Sequence, residues 1–345
     1  MKKVSMILLL MMAAAGFAAA QPAGKPVLKF NKNGRFRIVQ FTDTHLRGNC
    51  WQSDSVLILI RRVIEMERPD FVIFTGDVIQ QRPEAAWHNI GDVCAKAKVP
   101  WAAVLGNHDN EYELTDAQNI QVAAGLPYSL TENGPDYLPG NGNYMLTVQA
   151  SDSEKPAAAF YCLDSHRGEW NLRPDQVEWY RKQSREIADR NGGKSLPALA
   201  FFHIPIPEFE LVDRKVGFFE EPLDGSPINS GMFAAMYERG DVMGIFVGHD
   251  HDNNFIGCVK NICLGFGLIS GWMSYGKIGR GARVIELYEG ERKFDTWIRK
   301  LYDFEQGRET WIRTGDTGRK FFVTYENQGM SYREDRLAND PKETR

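Results

Sequence analysis

The chain has 345 residues, 43% apolar and 25% charged, with 41 basic side chains against 45 acidic ones. That length can bury a substantial core, and one large α/β domain accommodates it. The mildly acidic balance gives no electrostatic footprint for nucleic acid and speaks against that class of partner.

In chain order, residues 1–20 read as a signal peptide. Lys2 and Lys3 supply a positive start, Ile7 to Met12 a short apolar run, and Ala18-Ala19-Ala20 the small residues of a cleavage site. The apolar stretch is shorter than the ~20 residues of a spanning helix, and no cysteine follows it closely enough for a lipid anchor. Cleavage leaves 39 basic against 45 acidic residues, about −6 net. No later segment is apolar for long enough to span a bilayer, so the mature chain (residues 21–345) is expected to be secreted, into a bacterial periplasm, with no membrane attachment.

Apolar runs of strand length then alternate with amphipathic stretches. Strands are expected at 37–41, 71–74 and 101–105, with helices at 53–68 and 84–98 between them. This β-α-β-α-β series favours a sheet covered by helices. Further strands are expected at 144–148, 158–163, 198–202 and 243–247, and helices at 174–190 and 231–239; Pro174 and Asp175 form a helix start. Residues 253–300 read as β-hairpins. The domain is expected to close near residue 302, and 303–345 to form a polar extension that packs one short strand (Phe321-Phe322-Val323) and frays after Tyr332. Proline-rich loops at 126–143 and 205–230 are long enough to carry function. Of the five cysteines, Cys94 and Cys162 read as small buried hydrophobes. Cys258 and Cys263 flank a tight turn and are either bridged, as an oxidising compartment permits, or reduced neighbours.

Five of the seven histidines, His45, His108, His203, His249 and His251, come directly after predicted strands, among aspartate, asparagine or glycine. Ligands of open α/β sheets bind beyond the carboxyl ends of the strands, so these loops would meet at one edge. Each motif alone is unspecific. Asp43-Thr44-His45 places two donors on one side of an extended chain. Gly76-Asp77 is a turn with a carboxylate, Gly106-Asn107-His108-Asp109 adds an amide and an imidazole, and Gly248-His249-Asp250-His251 repeats the same-side spacing with two imidazoles. Together, in order and each at a strand end, they are hard to assign to coincidence. Imidazole with carboxylate and amide oxygen, and no thiolate, suits manganese, iron or zinc.

The series D-x-H, G-D, G-N-H-D, a lone histidine and G-H-x-H resembles the calcineurin-like metallophosphoesterases, a superfamily that includes purple acid phosphatases. The resemblance runs from about residue 36 to residue 300. It implies a two-sheet α/β sandwich with helices on the outer faces, and hydrolysis of a small-molecule phosphate ester by water activated between two divalent metal ions. Carried over by position, it implies that Asp43, His45 and His251 hold one metal. Asn107, His203 and His249 would hold the other, and Asp77 would bridge both. His108 would stabilise or protonate the leaving oxygen instead of binding metal. Asp109 would either orient His108 or cap a helix at 111–114. Purple acid phosphatases carry a tyrosine ligand three residues after the bridging aspartate. Gln80 stands there, which disfavours ferric iron, and it can still point at the site as a neutral substitute.

His166, after the strand at 158–163, is a candidate substrate contact or a surface loop histidine. Tyr275 and Arg280, with Trp272 and Lys277, either shape a pocket for the ester's organic part or are ordinary loop composition. Cys50 and Trp51 are placed near the entrance, and His88 is expected to be solvated. The expected activity is that of a phosphomonoesterase. The alternatives are a phosphodiesterase or nucleotidase on the same metal core, and a non-catalytic, metal-stabilised binding protein.

Overall fold

Unbroken apolar runs such as 71–74, 101–104 and 242–247 give the central strands two greasy faces, and both must be covered. In the computed structural model, which describes residues 25–167 and 172–302 and three strands beyond them, two stacked sheets achieve this. The elements are β1 (Arg35–Phe41), α1 (Trp51–Glu67), β2 (Phe71–Thr75), α2 (Pro83–Ala97), β3 (Trp101–Val104), α3 (Asp116–Gly125), β4 (Tyr144–Gln149), β5 (Pro156–Cys162), α4 (Pro174–Arg190), β6 (Ala198–Phe201), α5 (Met232–Arg239) and β7 (Val242–Val247). They are followed by β8 (Ile256–Val259), β9 (Ile262–Phe266), β10 (Arg280–Tyr288), β11 (Lys293–Tyr302), β12 (Trp311–Thr317), β13 (Lys320–Glu326) and β14 (Gly329–Asp335). The first sheet runs β14-β13-β11-β10-β1-β2-β3, with β12 on β11, and the second runs β4-β5-β6-β7-β9-β8.

The period-two pattern sorts residues between layers. Ile38, Ile73 and Val104 of the first sheet meet Phe160, Leu199, Phe201 and Phe246 of the second in a shared core. Their neighbours Val39, Val72 and Phe74 belong instead to the core beneath the first two helices, with Val56, Ile60, Trp87 and Ile90. Tyr161, Ala200 and Ile245 pack likewise with Val177, Tyr180 and Met236 of α4 and α5. The result is the expected α/β sandwich with outer helices. β1, β2 and β3 are mutually parallel, as are β5, β6, β7 and β9. Their carboxyl ends therefore gather the loops that carry the polar motifs.

Three expectations change. Helix α3 was not anticipated: its apolar stripe is thin, with only Asn119, Ile120 and Ala123 buried, and its start is a capping box between Thr115 and Gln118. Asp109 therefore caps no helix. The hairpins β8–β9 and β10–β11 form, but in different sheets, because residues 267–279 cross from one to the other. Beyond Tyr302 the chain contributes three strands instead of one. β13 pairs with β11, placing Phe321–Val323 opposite Thr296–Phe294, and β14 continues past Tyr332 to Asp335. The signal-peptide reading lies outside the described residues. Among the described residues no helix is long and apolar enough to cross a membrane.

Candidate metal centre

The motif residues arrive from five strand ends: Asp43 and His45 after β1, Asp77 after β2, Asn107 and His108 after β3, His203 after β6, and His249 and His251 after β7. The backbone leaves its usual regions to bring them in. Asp43, His45, Asp77 and His249 have φ of 52°, 44°, 48° and 77°. Such left-handed, non-glycine residues cost on the order of 1–3 kcal/mol each and concentrate where function demands them. Two glycines permit the close approach. A Cβ on Gly76 would lie 2.4 Å from the His203 ring, and one on Gly248 would lie 1.9 Å from Thr42 Oγ1. The loops are also tied to each other. Asp43 N donates to Gly76 O at 3.1 Å, His45 N donates to Asp77 O at 2.9 Å, and His249 N donates to the Asp43 carboxylate at 3.2 Å.

Two groups of donors result, Asp43 with His45 and His251, and Asp77 with His203 and His249. Within each group the candidate ligand atoms all lie within 4.8 Å of one another. Asp77 Oδ2 stands between the groups, 3.3 Å from Nε2 of His203 and 3.8 Å from Nε2 of His45. Nε2 of His45, Nε2 of His203 and Oδ1 of Asn107 are buried without any hydrogen-bond partner. Such orphaned atoms are costly in a folded interior. Ion-pair distances without hydrogen-bond alignment describe ligands arranged around a common centre. The residues therefore fit a pair of metal ions. Their orientation fits too: Nδ1 of His203 lies 2.8 Å from Thr75 O and Nδ1 of His251 lies 3.1 Å from Tyr275 O. A carbonyl only accepts, so each Nδ1 donates to it and Nε2 is left as the atom that would meet a metal.

The charges are interlocked. Burial alone would raise Asp43 and Asp77, but facing imidazoles, His251 for Asp43 and His203 for Asp77, hold both carboxylates below their usual range. His203 responds in the opposite sense: burial pulls it down, yet Asp77 and Asp43 raise it to about 10. Burial dominates at His45 and His249, and each falls to about 4.

The remaining candidates divide. His108 is not in either ligand group; its N–H donates to Asp77 Oδ1 at 2.9 Å, and its side chain is 39% exposed. Asp109 is buried and does not orient His108. Its carboxylate accepts from the backbone N–H groups of Val78, Ile79 and Gly106, at 2.8, 2.8 and 2.7 Å, tying the loop after β2 to the loop after β3. Burial and nearby Asp77 push it up to about 8, against the pull of those donors. Gln80 touches His45 from outside the ligand set, with Nε2 3.2 Å from Nδ1, while its Oε1 accepts from Arg47. His166 reaches the edge of the site. With Asn107, Asp164, Arg167 and Arg173 it lines a cavity of about 130 Å³. Tyr275 stacks on His251 with ring centroids 4.2 Å apart. Arg280 is buried. It donates to the carbonyls of Gly271, Ser274, Tyr275, Gly276 and Gly279, closing the loop whose Tyr275 carbonyl also holds His251. Reaching those carbonyls required the side chain to turn inward, which its sequence position does not reveal. His88 is exposed, as expected, and Cys258 and Cys263 are bridged.

A two-sheet sandwich with two carboxylate–imidazole groups at the parallel strand ends defines a metallophosphoesterase. The calcineurin-like phosphoesterase family model matches residues 36–253, and the chain belongs to that family. Among curated relatives, "Probable inactive purple acid phosphatase 29" of Arabidopsis thaliana is 34% identical, over 78% of this chain and 81% of that protein. "Phosphatase DCR2" of Saccharomyces cerevisiae is 29% identical, over 82% of this chain and 57% of that protein. A solved structure, a dimetal phosphatase from Danio rerio, shares the fold with a TM-score of 0.53 at 14% identity, covering 84% of this chain and 99% of that one.

Proposed function

We propose that this chain is an exported, two-metal phosphomonoesterase. The observation that carries the reading is the pair of carboxylate–imidazole groups in which Nε2 of His45 and Nε2 of His203 are buried without a hydrogen bond, with Oδ1 of Asn107 likewise buried and without one on the loop after β3. Asp43, His45 and His251 would hold one ion and Asn107, His203 and His249 the other, with Asp77 shared. Bound divalent ions supply Lewis acidity toward phosphoryl oxygens and bring the pKa of water from near 16 to roughly 7. The donor set contains no thiolate, and Gln80 brings no phenolate, which supports manganese, zinc or ferrous iron.

The chain's own residues do the rest. His108, exposed beside Asp77, is free to hand a proton to the leaving oxygen. Arg173 and His166 around the cavity beside Asn107 favour the doubly charged phosphate of a monoester over the singly charged diester. Tyr275, stacked on His251, offers an aromatic wall to the organic group. Export is supported by the signal-like residues 1–20 and by the Cys258–Cys263 bond, since such bonds persist in oxidising compartments.

A second reading is prompted by the word "inactive" in the name of the Arabidopsis relative: a metal-stabilised binding protein without turnover. Loss of a ligand or of His108 would be expected of it, and this chain has every one of them. The test is hydrolysis of p-nitrophenyl phosphate and bis-p-nitrophenyl phosphate by residues 21–345, stripped with chelator and reloaded separately with manganese, zinc or ferrous iron. Metal-dependent turnover that prefers the monoester is expected. A preference for the diester would make it a phosphodiesterase. Two bound metals with no turnover of either ester would favour the binding protein.

A further inference from the structure

Glu111 belongs to neither ligand group, yet its carboxylate is where two charged side chains meet. Its Oε1 lies 2.8 Å from Nδ1 of His108 and 2.9 Å from a guanidinium nitrogen of Arg167. His108 follows β3 in the first sheet and Arg167 follows β5 in the second, so the contact joins the two sheets at the rim of the metal centre. A local turn brings Glu111 back toward His108, with Glu111 N donating to His108 O at 3.3 Å. The approach to Nδ1 is close but not aligned as a hydrogen bond.

Other carboxylates are committed elsewhere. Asp109 has both oxygens on backbone N–H groups, and the position three residues after Asp77 is the amide Gln80. Among the described residues no other carboxylate lies in ion-pair range of the His108 ring. Nδ1 of His108 is closed off from solvent while the side chain stays 39% exposed, so the ring turns Nδ1 inward and its other edge outward.

We propose that Glu111 is the positioning residue for the leaving-group acid, and that Arg167 holds Glu111 in turn; the acid role of His108 itself rests on the hydrolase reading above. As the phosphorus–oxygen bond breaks, the leaving oxygen takes the proton from Nε2 and departs as an alcohol. Nδ1 keeps its proton against Glu111, water supplies the oxygen that phosphorus gains, and His108 is reprotonated from solvent. Holding one nitrogen fixes the direction of the other, and proton transfer depends on that direction.

The experiment compares wild type with Glu111→Gln and Arg167→Met, all metal-loaded, on p-nitrophenyl, phenyl and alkyl phosphates. A nitrophenolate leaves without a proton, whereas an alkoxide needs one. Glu111→Gln is expected to lose about ten-fold or more on alkyl phosphate and under about three-fold on p-nitrophenyl phosphate, part of the 10²–10⁴-fold that acid catalysis supplies. Metal content should be unchanged, and Arg167→Met should show the same trend more weakly. Equal losses on all three esters, or loss of metal, would overturn the proposal. Nitrogen-15 histidine spectra of the same proteins give a readout without turnover. The Nδ1 proton of His108, assigned by its disappearance in His108→Ala, should be protected from exchange in wild type and lost in Glu111→Gln. Its presence in a protein that hydrolyses nothing would defeat the hydrolase reading and leave the Glu111 contact standing. Its absence in wild type, or its persistence in Glu111→Gln, would defeat the contact.

Discussion

His203 sits between the carboxylates of Asp77 and Asp43, which raise it to about 10 against the pull of burial, while burial holds His45 and His249 at about 4. In metal-free protein at neutral pH His203 thus carries a proton that a metal must displace; His45 and His249 carry none. Loading should release at least one proton per chain, and affinity should strengthen as pH rises. Calorimetry in two buffers of different ionisation heat would measure this, and a buffer-independent heat would contradict it. His108→Ala should keep both metals and lose at least ~10²-fold in rate; a fall in metal content would move His108 into the ligand set. At this scale the ligand pattern is legible in the sequence because each donor follows a strand directly. Asp109, Arg280 and Glu111 are not, because their partners lie elsewhere: Val78 and Ile79 for the first, carbonyls of a loop crossing between sheets for the second, Arg167 for the third.

The loops that carry these residues depend on one another more than on their strands. Asp109 satisfies three backbone N–H groups from two loops, and its removal leaves buried donors unpaired at about 1–3 kcal/mol each, partly recovered by relaxation. Asp109→Ala should therefore lower stability by roughly 2–4 kcal/mol and weaken metal binding, read from thermal unfolding with and without metal. A variant within ~0.5 kcal/mol of wild type would show that the tie contributes nothing to stability. Most strands and helices could be read from apolar periodicity, since each buries a full face. Helix α3 could not, because its buried side is only three residues wide. The crossing between sheets at 267–279 was invisible for another reason. Hairpin signals identify which strands are sequence neighbours, whereas the parallel pairing of β9 with β7 is set by the core that Ile245 and Leu264 share.

Across the whole molecule, the first sheet is joined to its C-terminal hairpin through Glu286 on β10, which sits opposite Arg37 on β1. Its oxygens lie 2.7 Å from Arg35 and 2.6 Å from Arg37. Burial would raise its pKa, but Arg37 and then Arg35 outweigh burial and hold it below the usual glutamate value. The unfolded chain therefore takes up the proton first. The stabilisation is complete above the unfolded value near 4.3 and disappears as pH falls through the folded one. Glu286→Gln should cost about 1–3 kcal/mol at neutral pH, a gap that narrows below about pH 4; a pH-independent gap would refute the linkage. The acidic balance and the reading of residues 1–20 belong to this scale too, and fractionation of cells for the mature chain would test export. The central claim is that seven side chains from five loops hold two metal ions through a shared Asp77. Its most direct test is elemental analysis of purified residues 21–345 beside Asp77→Asn, both after equilibration with manganese or zinc. Two ions per chain in the wild type, with both sites weakened together in the variant, are predicted. No bound metal in the wild type, or two tightly held ions in Asp77→Asn, would contradict the account.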